Sequence, residues 1–151
     1  MTEQEIRKAL FEHSAHIRDL TAYITEQQEL AAKVYAKCES LKAQLSFLTG
    51  EPKALCESQL NKYVSEGEAL NKIISIKTNE RNNAISNLKA LIASIRGEDV
   101  RSTECRRMLT IRFLDGNTVA TVAYKLHRSN DYVKRNLMQR ALKMIAESLQ
   151  Q

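Results

Sequence analysis

The chain has 151 residues and a formal net charge of +5, with four glycines, one proline and no tryptophan. So few helix breakers among many straight-chain residues predict an almost entirely helical protein. No apolar run approaches the roughly 18 residues that a membrane span needs, and the polar, acidic N-terminus is unlike a signal peptide, so we expect a cytoplasmic protein with no membrane partner.

The residues that usually carry catalysis or bind metals are scattered. Cys38, Cys56 and Cys105 show no paired spacing, so we interpret them as reduced packing residues. Of the three histidines, His13 and His16 lie in the first helical segment and His127 lies far from them in sequence. There is neither a glycine-rich phosphate loop nor a carboxylate pair in a plausible cleft. We therefore expect no catalytic residues, no metal, no cofactor and no enzymatic activity.

A heptad pattern runs through the first 48 residues. Its positions alternate four and three apart without a break and are Ile6, Leu10, His13, Ile17, Leu20, Ile24, Gln27, Ala31, Val34, Cys38, Leu41, Leu45 and Leu48. This spacing predicts one long helix with a coiled-coil seam. Gly50 and Pro52 are expected to end it and to open the next helix.

A second heptad series follows the turn. Its positions are Cys56, Leu60, Tyr63, Gly67, Leu70, Ile74, Lys77, Arg81, Ala84, Leu88, Leu91 and Ile95. Two long helices joined by a short turn predict an antiparallel hairpin, with Lys77 near Glu26 and Arg81 near Asp19. Apolar residues off the seam favour a homodimer. Residues 1–97 are thus predicted to be a coiled-coil oligomerisation arm, and its cluster around Leu88 and Ile92 is expected to dock the rest of the chain.

Positive charge is concentrated in the last third of the chain. Residues 1–97 carry 13 basic and 12 acidic side chains, whereas residues 100–151 carry 10 and 4. A basic excess in one segment indicates a polyanionic partner for that segment. We treat residues 98–151 as a separate module.

Three short helices are predicted in this module. Ser102 or Thr103 can cap the first, which runs to about Leu114. The turn at residues 115–117 precedes Thr118, the expected cap of a helix from Val119 to Leu126.

The third helix of the module starts after Ser129, its expected cap. An apolar stripe through Val133, Leu137 and Ala141 faces inward. The same periodicity predicts Met138 on the outside.

A short turn between two packed helices is typical of a helix-turn-helix, whose second helix presents side chains to base edges. The predicted base-reading residues are Asn130, Asp131, Lys134 and Arg135. Double-stranded DNA is the expected partner. The predicted contacts to the DNA backbone are Arg106, Arg107, Arg112, Thr118, Lys125, His127, Arg128, Ser129 and Tyr132.

The segment Leu109-Thr-Ile-Arg-Phe-Leu-Asp-Gly-Asn-Thr, with Val122-Ala123, Leu126, Ser129, Val133-Lys134 and Arg140-Ala141-Leu142, resembles region four of bacterial sigma factors. It resembles more closely the sigma-like helix-turn-helix of phage late-gene regulators of the ArpU/RinA type. The resemblance covers residues 103–145, with an interval from Ser129 to Arg140 one residue longer than usual. It implies that the helix after Ser129 reads promoter DNA, and that bacterial RNA polymerase is a further partner.

These observations predict an all-α protein with a long helical hairpin followed by a three-helix helix-turn-helix module. The leading functional hypothesis is a sequence-specific transcription regulator of phage or prophage origin, a sigma-like activator that acts as a dimer. One alternative is a coiled-coil adaptor or assembly protein whose C-terminal module binds protein. Another is a phage DNA-packaging recognition subunit, which would form a ring of many copies.

Overall fold

The computed structural model describes residues 1–151, and they form helices with no strand. The two long helices are α1 (Glu3–Leu45) and α2 (Gly50–Ala93). The short helices are α3 (Val100–Leu109, continued by a π-helical turn at Thr110–Leu114), α4 (Val119–Leu126) and α5 (residues 130–149: Asn130–Tyr132, a π-helical turn at Val133–Leu137, and Met138–Leu149). The predicted all-α fold is confirmed, and no helix is apolar over enough of its length to cross a membrane.

The chain packs into two compact units that do not follow its linear order. The first unit consists of residues 1–19 and 81–151, and the second consists of residues 20–80. The boundary predicted between residues 97 and 98 therefore lies inside the first unit. Both ends of the predicted arm belong to the same unit as the helix-turn-helix.

The second unit is an antiparallel pair of helices around the turn between α1 and α2. Lys37 lies over the ring of Tyr63, with its Nζ 5.0 Å from the ring centroid. Nearer the turn, the Cys56 thiol donates to the carbonyl oxygen of Leu41 at 3.5 Å. Gly50 has a φ of 67°, the left-handed conformation predicted for it. It is the first residue of α2 and does not end α1, which stops earlier, at Leu45.

The predicted heptad positions of both long helices are buried or half-buried along their whole length. The charge pairs expected between the helices are not formed as predicted. Lys77 pairs instead with Glu80 on its own helix, at 3.2 Å. The Nε of Arg81 is buried and has no hydrogen-bond partner, and Asp19 pairs with its neighbour Arg18. Residues three or four apart on one helix are neighbours in space. An acidic side chain on the same helix therefore competes well with one on the other helix for a long, flexible basic side chain.

The first unit has one continuous apolar core. It joins the start of α1 and the end of α2 to α3, α4 and α5. The side chains with no measurable exposure are Ile6, Leu10, Leu88, Cys105, Leu109, Val122, Leu137, Ala141 and Ile145. The docking of the module by the Leu88 and Ile92 cluster is confirmed, since both residues lie in this core.

Asp99, and not Ser102 or Thr103, caps α3. The backbone N–H and hydroxyl of Ser102 donate to the Asp99 carboxylate at 3.2 and 2.7 Å. These bonds lower the pKa of Asp99, the hydroxyl contributing most. Gly97 has a φ of 107°, and a Cβ there would lie 2.9 Å from the same carboxylate. The cap therefore needs glycine at this position as well as aspartate at 99.

Replacing Leu10 tests whether the start of α1 is part of the module's core. Leu10 is 0% exposed, so we expect Leu10→Ala to lower the free energy of unfolding by about 2–5 kcal/mol, measured by urea denaturation. Leu149→Ala removes an exposed leucine from the last helix and should change it by less than about 0.5 kcal/mol. Equal small effects of both variants would contradict the shared core.

The cap at Asp99 should make stability depend on pH. The folded-state pKa of Asp99 is lowered. The stabilisation from its ionised carboxylate is therefore complete above the unfolded-state pKa of about 3.9, and it is lost as the pH falls through the folded-state pKa. Asp99→Ala should therefore destabilise the protein in neutral solution, and its deficit relative to the wild type should shrink in acid. Denaturant midpoints measured across this range, with Asp115→Ala as an exposed control, check the effect. A deficit that stays constant with pH would count against the cap.

Candidate nucleic-acid interface

The turn between α4 and α5 is fixed by backbone hydrogen bonds. The N–H of Arg128 donates to the carbonyl oxygen of Ala123 at 2.9 Å, and that of His127 donates to Tyr124 at 3.3 Å. His127 has φ 56° and ψ 44°, in the left-handed region. Together these features form a Schellman motif, which usually places glycine where His127 stands. The backbone of the turn itself therefore sets the angle between α4 and α5.

The two caps predicted for these helices are confirmed. The N–H of Thr121 donates to the Thr118 hydroxyl at 3.3 Å, and that of Tyr132 donates to the Ser129 hydroxyl at 3.1 Å. Both hydroxyls are therefore used within the protein. Thr118 and Ser129, predicted as contacts to the DNA backbone, lie at the N-termini of α4 and α5, where further backbone N–H groups face outward.

The four predicted base-reading residues are all exposed on one side of α5. Below them, Val133 and Leu137 are buried in the core. We call Asn130, Asp131, Lys134 and Arg135 the recognition surface. Within it, the Nε of Arg135 lies 3.7 Å from an oxygen of Asp131, and both side chains are exposed. Such a pair is weak in water and easily exchanged.

Met138 is buried, contrary to the prediction that it faces outward. The cause is the π-helical turn at Val133–Leu137, where the N–H of Met138 donates to the carbonyl oxygen of Val133, five residues back. A π turn holds one more residue than an α turn. Met138 is therefore placed below Val133 in the core rather than beside Lys134 on the surface.

Three of the arginines predicted to contact the DNA backbone hold the module together instead. Arg106 donates to the carbonyl oxygen of Ile95 at 2.8 Å, which ties α3 to the end of α2. Arg112 donates to the carbonyl oxygen of Asn117 at 2.9 Å. Because these bonds are internal, both side chains are less available to a partner than the sequence suggested.

Arg128 is the third arginine that is held within the module. It donates to Glu104 at 3.1 Å and lies over the ring of Tyr132, 4.7 Å from its centroid. The hydrogen bond to Glu104, and then its charge, raise the pKa of Arg128. Tyr132 is half-buried beneath the guanidinium. Arg128 and Tyr132 thus brace the start of α5 against α3.

The remaining predicted backbone contacts, Arg107, Lys125 and His127, are exposed. The prediction omitted Tyr124, which is 83% exposed on α4 beside Lys125. The sequence could have indicated its exposure, because Tyr124 is not one of the residues of α4 that the apolar pattern predicts to be buried.

The prediction also omitted basic residues farther along α5. Arg140 and Lys143 line a groove of about 560 Å³ together with Arg135 of the recognition surface. The acidic Glu3, at the start of α1, lies on the same groove. The spacing of Arg140 and Lys143 from Arg135 along the helix could have predicted that these basic residues lie on the same groove. The basic surface of the first unit therefore continues along α5 beyond the recognition surface.

The structure places no group of three or more histidine, cysteine, aspartate or glutamate side chains where they could hold a metal ion. The three cysteines are free and buried. Burial is the main cause that raises the pKa of the Cys105 thiol. Such a thiol is a poor nucleophile, and this agrees with its interpretation as a packing residue.

Comparison with known proteins yields no match to this chain, whether among protein families, curated proteins or solved structures.

Proposed function

We propose that this protein is a sequence-specific DNA-binding transcription regulator that reads the major groove with the start of α5. One observation carries the proposal: Asn130, Lys134 and Arg135 are exposed on a helix whose opposite side is fixed in the core by Val133 and Leu137. A rigid helix that presents such side chains at its N-terminal end is the element a helix-turn-helix inserts into DNA.

The residue types on the recognition surface suit base edges. Asn130 can pair with adenine through two hydrogen bonds, and Arg135 or Lys134 can donate to guanine. Lys134 has no ion-pair partner in the structure, so its charge is available. Arg135 would exchange its weak contact with Asp131 for a base or a phosphate.

Exposed hydrogen-bond donors around the recognition surface would supply the contacts to phosphate. Arg107, Lys125 and His127 are free to reach the DNA backbone, whereas Arg128 braces α5 from within. Arg140 and Lys143 extend the positive surface. Contacts of this kind position the protein and make affinity depend strongly on salt concentration.

The resemblance of residues 103–145 to sigma region four and to phage late-gene regulators supports a phage or prophage activator that would work with bacterial RNA polymerase. The long helices would pair two copies, so that two recognition surfaces bind paired half-sites. An apolar groove of about 460 Å³ on the second unit, lined by Val34, Tyr35, Tyr63 and Val64, supports pairing there. Tyr35 and Val64 are exposed in the single chain.

A second candidate function, a coiled-coil adaptor that binds protein, is favoured by the residues flanking the hairpin turn. Phe47 is 88% exposed and Leu55 is 67% exposed. Large apolar side chains this accessible are typical of protein interaction sites when they cluster. A DNA-packaging subunit remains the third candidate, and a measured mass corresponding to a ring of many copies would select it.

The recognition surface can be tested by a double substitution. Lys134→Ala with Arg135→Ala should abolish specific DNA binding, because it removes two donors to base edges, each worth about 1–3 kcal/mol when paired in two-bond geometry. The target is first selected from a random DNA pool at two salt concentrations. Affinity for it is then measured by fluorescence anisotropy.

The matched control is Lys33→Ala with Lys72→Ala, which removes the same charge from exposed positions of the second unit. It should leave specific binding intact. Equal affinities of the two double variants would overturn the assignment of the recognition surface. If the selection yields no DNA sequence at either salt concentration, the adaptor function is favoured.

The dimer is tested at the groove of the second unit. Tyr35→Glu would bury a charge between two copies and should weaken dimerisation at least about tenfold in sedimentation equilibrium. Ala36→Glu, exposed on the next position but outside the groove, should leave it unchanged. A wild-type protein that stays monomeric at all concentrations, or two variants with equal effects, would exclude pairing through this groove.

A further inference from the structure

A cavity of about 260 Å³ opens in the first unit beside the start of α5. Its apolar wall comes from four helices and includes Phe11, Met108, Phe113, Val119 and Met138. Apolar cavities of about 150 Å³ are large enough to bind benzene. The cavity can therefore hold a hydrophobic molecule of one or two rings.

Two aromatic rings form one side of this cavity. Phe11 of α1 and Phe113 meet edge to face, with centroids 5.0 Å apart and planes at 85°. Phe113 is buried, but Phe11 is only partly covered by the protein. An aromatic guest would extend this pair in the offset or edge-to-face geometry that such rings prefer.

The charged groups at the cavity are all positive. Arg7, Arg112 and Lys134 line it, and no acidic side chain does. The guanidinium of Arg7 lies 5.7 Å from the centroid of Phe11, and that of Arg112 lies 5.4 Å from the centroids of both Phe11 and Phe113. Three cations at the rim of an apolar space favour a guest with one negative charge, because carboxylates form their strongest hydrogen bonds with such donors.

We propose that this cavity is a binding site for a small aromatic carboxylate. The ring packs between the phenylalanine pair and Met138, and the carboxylate accepts hydrogen bonds from Arg7 and Lys134. The binding step does not depend on the proposed function. Its consequence does: because Lys134 belongs to the recognition surface, a bound carboxylate competes with DNA for this side chain and lowers DNA affinity.

The probe is 1-naphthoate, titrated calorimetrically into the full chain without DNA, with 1-naphthalenemethanol as its neutral analogue. We expect naphthoate to bind about tenfold more tightly than the alcohol, and Arg7→Gln to remove most of this preference. Lys8→Gln is the matched control, since Lys8 is the next cation on α1 and pairs with Glu12 outside the cavity. No naphthoate binding, or equal binding by Arg7→Gln and the wild type, would overturn the site.

The position of the guest is tested separately. Val119→Phe places a ring in the cavity and should abolish binding, and circular dichroism shows whether the variant is folded. Independently of that variant, naphthoate should shift the methyl resonances of Met108 and Met138 in the wild type while leaving those of Met1 unchanged. Binding without these shifts would place the guest elsewhere and overturn the proposal.

A competition experiment tests the consequence for DNA. Saturating naphthoate should weaken binding of the selected DNA at least about fivefold in the wild type and much less in Arg7→Gln. Unchanged DNA affinity would refute the coupling. Naphthoate binding by a protein that binds no DNA would refute the proposed function and leave the carboxylate site standing.

Discussion

The burial of a shared core is the constraint on which the rest of this structure depends. Residues 98–151 form short helices, and a segment of this size buries too little apolar surface to be more than marginally stable by itself. Additional apolar surface is buried here against Ile6 and Leu10 from the start of α1 and against Leu88 and Ile92 from the end of α2. The helix that carries the recognition surface is packed against both ends of the hairpin.

The π-helical turn in α5 links this core to the recognition surface. It contains Lys134 and Arg135, and it directs both Val133 and Met138 inward. A π turn holds one more residue than an α turn. The π turn therefore affects which later residues of α5 face outward, and Arg140 and Lys143 line one groove with Arg135.

Local sequence signals predicted the fold well. The heptad positions, the left-handed Gly50 and the caps at Thr118 and Ser129 depend on neighbours within a few residues, and all are confirmed. Two predictions failed for local reasons: Asp99 caps α3, and a π turn directs Met138 inward. The predictions for the arginines failed because of contacts distant in sequence. Arg128 binds Glu104, 24 residues away, and Arg106 binds a carbonyl at the end of α2. No periodicity distinguishes an arginine that faces solvent from one that braces two helices. The base-reading roles themselves remain predictions from residue type and exposure.

The first unit consists of two segments that are distant in sequence, and this affects how it folds during synthesis. Its core combines residues 1–19 with residues 81–151, so the first of these segments is synthesised before its packing partners in the second. At roughly 5–20 residues per second, the ribosome needs several seconds to make the intervening segment. During that time Ile6 and Leu10 have no partners from α3 or α5. A chain interrupted before α5 would contain all residues of the second unit, 20–80, but no finished helix-turn-helix.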